Sequence, residues 1–216
     1  MKFILLLRKG LKLLSSKYII IILLLVILIA GCEKKVGESP LPVNGNKDNS
    51  EELIKGLNSL LNSEVTFALK GNFMGDSTQQ VVTGTEILNK KEWGIKFHLF
   101  EIKGNKPEKK DDSKLLDGSF KDCRVEKLNL PGNDHDLVYY NSLNYFMGSA
   151  GGEIFSYIID FKGQKTYYAH LVSEPGKPVY LFLSINGNQE IYNYFISSFK
   201  KDFPVFKITS KDPVLN

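Results

Sequence analysis

The sequence predicts a mainly β domain of the α+β class. It would be an antiparallel sheet assembly built from about two to three degenerate four-strand repeats, with one N-terminal and one C-terminal helix. Three observations predict it. From Val65 onward, runs of β-branched and aromatic residues recur between turn clusters, and several alternate apolar with polar residues as a half-buried strand does. Only two segments, one before these runs and one near the end, instead space their apolar residues at helical intervals. The chain also echoes itself: Gly75, Gly132 and Gly187 stand in similar settings at intervals of roughly 55 residues, close to the range of blade or sheet repeats.

The N-terminus is set apart from this pattern. Lys2, Arg8, Lys9, Lys12 and Lys17, with no acid among them, precede the thirteen apolar residues Tyr18–Ala30. A basic region, a short apolar core and small residues behind it mark an export signal. At about 1.5 Å per residue the apolar core spans roughly 20 Å as a helix, short of a ~30 Å hydrocarbon layer. An uncleaved anchor is the competing reading, and under either one the positive charge stays inside and the remaining chain outside.

The last residues of this leader, Leu28-Ile29-Ala30-Gly31-Cys32, resemble the lipobox of bacterial lipoproteins. The resemblance implies cleavage between Gly31 and Cys32, a diacylglycerol on the Cys32 sulfur and an acyl chain such as palmitate on the new N-terminus. Two or more chains hold a protein stably on a bilayer where one does not. The implied location is the extracytoplasmic face of the cell membrane or outer membrane, with the membrane itself as a partner through the lipid anchor. The organisation that follows is a signal peptide over 1–31, a tether over 32–47 and a single β-rich domain over 48–216.

Charge and cysteine content narrow the classes further. Of the 28 basic residues, five leave with the leader, so 23 face 24 acids in the remainder. The basic balance belongs to export and gives no reason to expect nucleic acid, and no basic run with interleaved aromatics tracks a groove. The densest basic cluster, Lys106-Pro-Glu-Lys-Lys110, is followed at once by Asp111 and Asp112 and reads as a solvated loop. With Cys32 assigned to lipid, Cys123 stands alone and reads as a buried, inert thiol.

Taken in order, residues 33–47 carry Pro, Gly, Ser, Asn and charge with little apolar content, the composition of a linker. Asp48 and Glu51 have capping-box spacing ahead of Leu53, Ile54, Leu57, Leu60 and Leu61, a helix that ends at Asn62 or Ser63. Strands are expected over Val65–Phe73, Gln80–Gly84, Gly94–Ile102, Lys114–Phe120, Arg124–Leu130, Leu137–Asn141, Glu153–Asp160, Thr166–Val172 and Pro178–Ile185. Val179–Leu183, apolar without alternation, reads as an interior strand covered on both sides. Ile191, Tyr194, Phe195, Ser198 and Phe199 fit a helix capped by Asn188 and ending at Lys200 and Lys201, and Val205–Ile208 adds a last strand.

The echoing segments, Asn72–Val82 and Asn129–Val138 with a weaker third at Ser184–Ile191, resemble degenerate FG-GAP or VCBS-type repeats. Loops of that type hold Ca²⁺ through oxygens at their first, third, fifth and ninth positions. These positions hold Asn72, Met74, Asp76 and Gln80 in one copy and, with one residue fewer, Asn129, Pro131, Asn133 and Asp136 in the next. Met and Pro offer no side-chain oxygen, which leaves Asp76, Asn133 and Asp136 as weak calcium candidates. No cofactor is expected beyond the lipid on Cys32.

Few residues carry a pattern that chemistry would need. Zinc-type His and Cys spacings, a Gly-x-Ser-x-Gly elbow and a phosphate loop are all missing from the sequence. His135, between Asp134 and Asp136, is the one cluster with an acid/base look, although such polar tetrads commonly build turns. Tyr139, Tyr140, Tyr145 and Phe146, ahead of a glycine-rich stretch, could form a partner-binding loop or cover the sheet. The reading that results is a membrane-tethered, non-enzymatic binding or scaffolding module of the cell envelope, with an envelope protein or glycan as partner. The alternatives are an envelope hydrolase using His135 with Asp134 or Asp136, and a Ca²⁺-stabilised adhesion-type β repeat protein.

Overall fold

Helix α1 (Lys47–Leu61) begins the part of the chain that a computed structural model describes, namely residues 47–89, 92–104, 106–142, 151–184 and 187–209. The leader, Cys32 and the expected linker before Lys47 lie outside these residues. Leu57 is fully buried against Val65, Val81 and Phe100, with Leu53, Ile54 and Leu61 around them. The helix stops where the sequence places its end. Asn62 turns left-handed (φ 49°), Ser63 N–H reaches back to Asn58 O at 3.3 Å, and Asn58 Oδ1 accepts from Val65 N–H at 2.8 Å.

The described residues are mainly β. Strands β1 (Leu69–Gly71), β2 (Gln80–Leu88), β3 (Trp93–Lys103) and β4 (Lys106–Asp112) form one antiparallel meander in chain order. Alternation along β3 sends Ile95, Phe97 and Leu99 to one face and Phe100, past a register shift, to the face beneath α1. β4 corrects the expectation of a solvated loop at Lys106–Lys110. Its charges suit an edge strand: Lys103 meets Glu108 at 2.7 Å, Lys109 meets Asp112 at 2.9 Å, and Lys110 pairs with Glu101. A charged edge carrying Pro107 also discourages pairing with a foreign strand.

Lys114–Phe120, expected as a strand, is instead an irregular strap held to β3 by one bridge, Ile95 with Leu116. It carries Phe120 into the space left by Gly84, where a side chain would overlap the Phe120 ring. Glu86 clamps the strap, accepting from Ser119 Oγ at 2.7 Å and from Phe120 N–H.

The second sheet contains β5 (Cys123–Leu128), β6 (Leu137–Ser142), β7 (Gly152–Asp160), β8 (Lys165–Ser173), β9 (Tyr180–Ser184) and β10 (Lys207–Thr209), again in sequential order. All pairs are antiparallel except β9 with β10, which run parallel because helix α2 (Gln189–Lys200) carries the chain back between them. Asn188 caps α2 through Oδ1, accepting from Ile191 N–H at 3.1 Å, as its sequence spacing predicts. Gly75, Gly132 and Gly187 share a left-handed backbone (φ 72°, 82° and 79°), so the echo marks a recurring turn. That turn leads into β2, β6 and α2 respectively.

The two sheets pack face to face. Phe67, Phe73, Val82, Ile95, Phe97 and Leu99 meet Val138, Tyr140, Tyr157, Ile159 and Phe161 across the interface. The far face of the second sheet receives Ile191, Phe195 and Phe199 of α2. The layers are therefore α1, four-stranded sheet, six-stranded sheet, α2. The strand covered on both sides is β6, all six of whose residues are buried, and not Val179–Leu183. In β9 only Leu181 is fully buried, because the strand lies toward the margin of its sheet beyond the span covered by the first.

Candidate functional site

The functional candidates collect at the end of the sandwich where the loop before β2, the loop before β6 and the β7–β8 turn meet. Asn72 joins the first two: its N–H donates to Asp136 Oδ2 at 2.8 Å and its carbonyl accepts from Asp136 N–H at 2.8 Å. Asp136 also accepts from Asn129 Nδ2 at 3.5 Å and lies 3.5 Å from Lys127 Nζ. A carboxylate that satisfies backbone and pairs with an ammonium is acting as a structural tie.

His135 is therefore not paired with Asp136, which corrects one arm of the expected acid/base cluster. Its partners are Asp134, at 2.8 Å from Nδ1, and Asp160, at 2.8 Å from Nε2. Asp160 is the residue that sequence adjacency could not reveal, since it comes from the end of β7. Asp160 also accepts from Gly163 N–H at 2.7 Å, and Lys162 closes the cluster on Asp134. Hydrogen bonds from Lys162 and His135 hold the Asp134 carboxyl down at about 2. With both imidazole nitrogens engaged and the ring largely buried, His135 pins the β5–β6 connection to the β7–β8 turn.

The calcium candidates are likewise tied into the protein. Gln80 Nε2 donates to Asp76 Oδ1 at 2.6 Å and to Thr78 Oγ1 at 3.0 Å, while Gln80 Oε1 accepts from Met74 N–H at 2.8 Å. An amide nitrogen thus stands where the ninth-position oxygen of a calcium loop would face the ion. Hydrogen bonds from the Thr78 side chain and backbone hold the Asp76 carboxyl below its ordinary value. Asn133 N–H closes a turn on Leu130 O at 3.2 Å. No group of three or more His, Cys, Asp or Glu residues suited to a metal occurs among the described residues.

Beside the first loop lies a cleft of about 330 Å³, lined by Met74, Asp76, Thr78, Gln80, Glu101, Lys110, Asp111 and Gln164. Its size falls at the lower end of small-molecule sites. Three carboxylates face one lysine, and that lysine is already paired with Glu101. The sequence hid this cleft because Asp111 and Lys110 belong to β4, read as loop, and Gln164 comes from a distant turn. The signal that could have found it is Lys106–Asp112 as a strand, which sets Glu101 opposite Glu108 and next to Lys110.

The remaining histidines are buried and bonded. On the outer face of the first sheet, His98 Nδ1 faces Asp112 Oδ1 at 2.7 Å and Nε2 faces Thr85 Oγ1 at 2.8 Å. The Asp112 carboxylate accepts from Nδ1–H, which leaves Nε2 of the neutral ring to accept from the Thr85 hydroxyl. The order hydroxyl, imidazole, carboxylate is that of an activated nucleophile. Yet Thr85 is 7% exposed, His98 is 5% exposed, and neither borders the cleft. The chain of bonds satisfies an imidazole that would otherwise be buried unpaired. His170 Nε2 meets Glu153 Oε2 at 2.8 Å, and its ring stacks on Phe155 at 4.3 Å.

The pair His98 and Asp112 gives a pH dependence with a definite sign. Burial lowers the His98 pKa from 6.5, so the unfolded chain takes up that proton first and stability falls as pH drops below 6.5. Burial alone would raise Asp112, but hydrogen bonds from His98, Lys109 and Lys96 outweigh it and hold the carboxyl at about 2 against an ordinary 3.8. That stabilisation is complete above pH 3.8 and is lost as pH falls toward 2. Thermal melts from pH 8 to pH 2 are expected to show both losses, and Asp112→Asn should reduce the lower one, leaving the share that Asp134 and Asp76 contribute over the same range. A Tm flat with pH, or the same acid profile in the variant, would contradict this assignment.

Tyr139 and Tyr140 do not line a binding loop. Both are fully buried and point to opposite faces of β6: Tyr139 OH meets Ser198 Oγ of α2 at 2.8 Å, and Tyr140 OH donates to Ser119 O at 2.8 Å. A strand between two apolar layers must place its alternate residues in both. Tyr145 and Phe146 lie outside the described residues, as do Gly31 and Cys32. Cys123 is half-buried, its Sγ donating to Phe120 O at 3.4 Å, and burial pushes the thiol up to about 11, which disfavours the reactive thiolate. No helix among the described residues is long and apolar enough to cross a membrane.

No family model, curated protein or solved structure matches this chain.

Proposed function

We propose that this chain is a lipid-anchored binding module of the cell envelope, held by an acylated Cys32 outside the cytoplasmic membrane. Its ligand-facing end is the cleft beside the Asn72–Gln80 loop. The observation that carries the reading is the lining of that cleft. Asp76 and Asp111 stand in a concavity of about 330 Å³ with the apolar arm of Met74 and the amide of Gln164. Carboxylates beside an apolar surface suit a basic side chain or amine, whose alkyl stem lies on Met74 while its charge meets the acids. Rigid sheet edges support the lining, and the turns around it are cross-bonded, so little ordering would be lost on binding.

The lipobox supports the anchoring half of the proposal. The test captures envelope proteins on the full chain, after cross-linking in intact envelopes, with wild type, Cys32→Ala and the double variant Asp76→Asn with Asp111→Asn. Cys32→Ala is expected to move the protein out of the detergent phase. The double variant is expected to stay anchored and folded but to lose a basic partner by roughly ten-fold or more, the scale of one or two charge pairs. A partner set unchanged in the double variant would overturn the cleft as the binding site, and unchanged detergent partitioning of Cys32→Ala would overturn the anchor.

A further inference from the structure

Strand β4 carries a bulge beside the cleft. Asp111 pairs with Leu99 and Lys109 with Phe100, which leaves Lys110 as the extra residue on its strand. Consecutive strand residues ordinarily point to opposite faces, but here Lys110 and Asp111 both line the cleft. Their neighbours Lys109 and Asp112 meet each other at 2.9 Å, with Asp112 also on His98. The bulge therefore brings one cation into a concavity whose other charged groups, Asp76, Glu101 and Asp111, are all acids. Lys110 takes Glu101 as its partner, a carboxylate sunk in the wall: the Glu101 side chain is 13% exposed, against 43% for Lys110. Asp76 and Asp111 bond instead to neutral donors, Thr78 and Gln80 for the first and the Asp112 N–H at 2.8 Å for the second.

We infer that Lys110 is a tethered competitor for the cleft: its ammonium holds Glu101 in the free protein, and a basic ligand binds by displacing it. This rests on the cleft being the binding site and adds what regulates it. A largely buried carboxylate stripped of its cation loses the interaction that offsets its desolvation, so Glu101 is costly to leave bare. Exchanging one ammonium for another avoids that cost. Lys110 is suited to leaving, because its four-carbon stem is flexible and much of the side chain already meets water. Its charge also reaches Asp76, where it adds to the stronger hold of Thr78 on that carboxylate. A ligand with a single ammonium gains little, since it replaces a like charge. The ligand that gains most carries two neighbouring cations, one to replace Lys110 on Glu101 and one for Asp76 and Asp111.

The test titrates the full chain, in detergent at low salt, with the peptide acetyl-Lys-Lys-amide. Lys110→Met keeps the apolar stem and removes the competitor, and should bind the peptide roughly ten-fold tighter than wild type, the scale of one charge pair. Lys103, 3.9 Å from Glu101, stays beside the exposed carboxylate, so the variant should fold. Lys110→Arg should restore wild-type affinity. Lys106→Met removes the same charge from the same strand outside the cleft, and should change binding by less than about two-fold. Equal tightening in Lys106→Met and Lys110→Met would overturn the inference as a general effect of charge. Unchanged or weaker binding in Lys110→Met would overturn it too. In both cases, loss of wild-type binding in Asp76→Asn with Asp111→Asn keeps the cleft as the site. Binding that survives this double variant, or none by wild type and Lys110→Met alike, would overturn the cleft reading and the inference with it.

Discussion

Tyr140→Ala is expected to lower folding stability by about 3–5 kcal/mol, the range for emptying a buried aromatic site. The ring sits between Phe97 and Phe120, in edge contact with both, and stacks on Tyr157 at 5.8 Å. Its hydroxyl donates to Ser119 O at 2.8 Å and accepts from Ser119 N–H at 3.1 Å, so the same residue joins β6 to the strap. Tyr140→Phe keeps the ring and leaves the Ser119 backbone unmet, which should cost about 1–2 kcal/mol. Urea unfolding of the three proteins measures both steps. A loss under about 1 kcal/mol for Tyr140→Ala would return the residue to the surface role its sequence neighbourhood suggested.

Gly94→Ala should be nearly as damaging, at about 3 kcal/mol, for a backbone reason. Gly94 has φ 147°, and a Cβ there would overlap Leu116 O. That oxygen accepts from Ile95 N–H at 2.8 Å, and Leu116 N–H donates to Ile95 O at 3.0 Å. The substitution therefore strains the strand and pushes the strap off both bonds, each contributing about 1 kcal/mol. Gly104→Ala is the control. Its φ is also positive, at 51°, but nothing lies within 4 Å, so it should lose only about 1 kcal/mol. Equal losses at the two sites would show that the close approach of the strap contributes nothing.

Both positions show why some of this protein could be read ahead of the structure and some could not. Helix α2 was legible to within a residue, because Asn188 and the spacing of Ile191, Phe195 and Phe199 are local signals. The strands β2, β3, β7 and β8 were legible for the same reason, with ends displaced by a few residues. β4 was not, since Lys, Glu, Pro and Asp carry no strand propensity and form a strand there only because β3 presents an open edge. Lys114–Phe120 failed the opposite way: its composition suits a strand, but Gly84 and Tyr140 hold Phe120 where no ladder can continue.

The candidate site follows the same division. His135 and Asp134 could be singled out from adjacency, whereas Asp160 comes from 25 residues away and Asp136 turns to Asn72. The cleft draws on three stretches that no spacing rule connects.

By itself the sequence determined what local chemistry controls: the class of the fold, both helices, most strands, the recurring settings of Gly75, Gly132 and Gly187, and the lipobox-like leader. Tertiary structure alone decided which strand is buried on both faces, where Tyr139 and Tyr140 point, which acids meet His135, and that Trp93 and Leu88 end uncovered. The physical reason is that propensity and turn geometry act over a few residues. Burial and partner choice are set by whichever layer comes to lie against a segment.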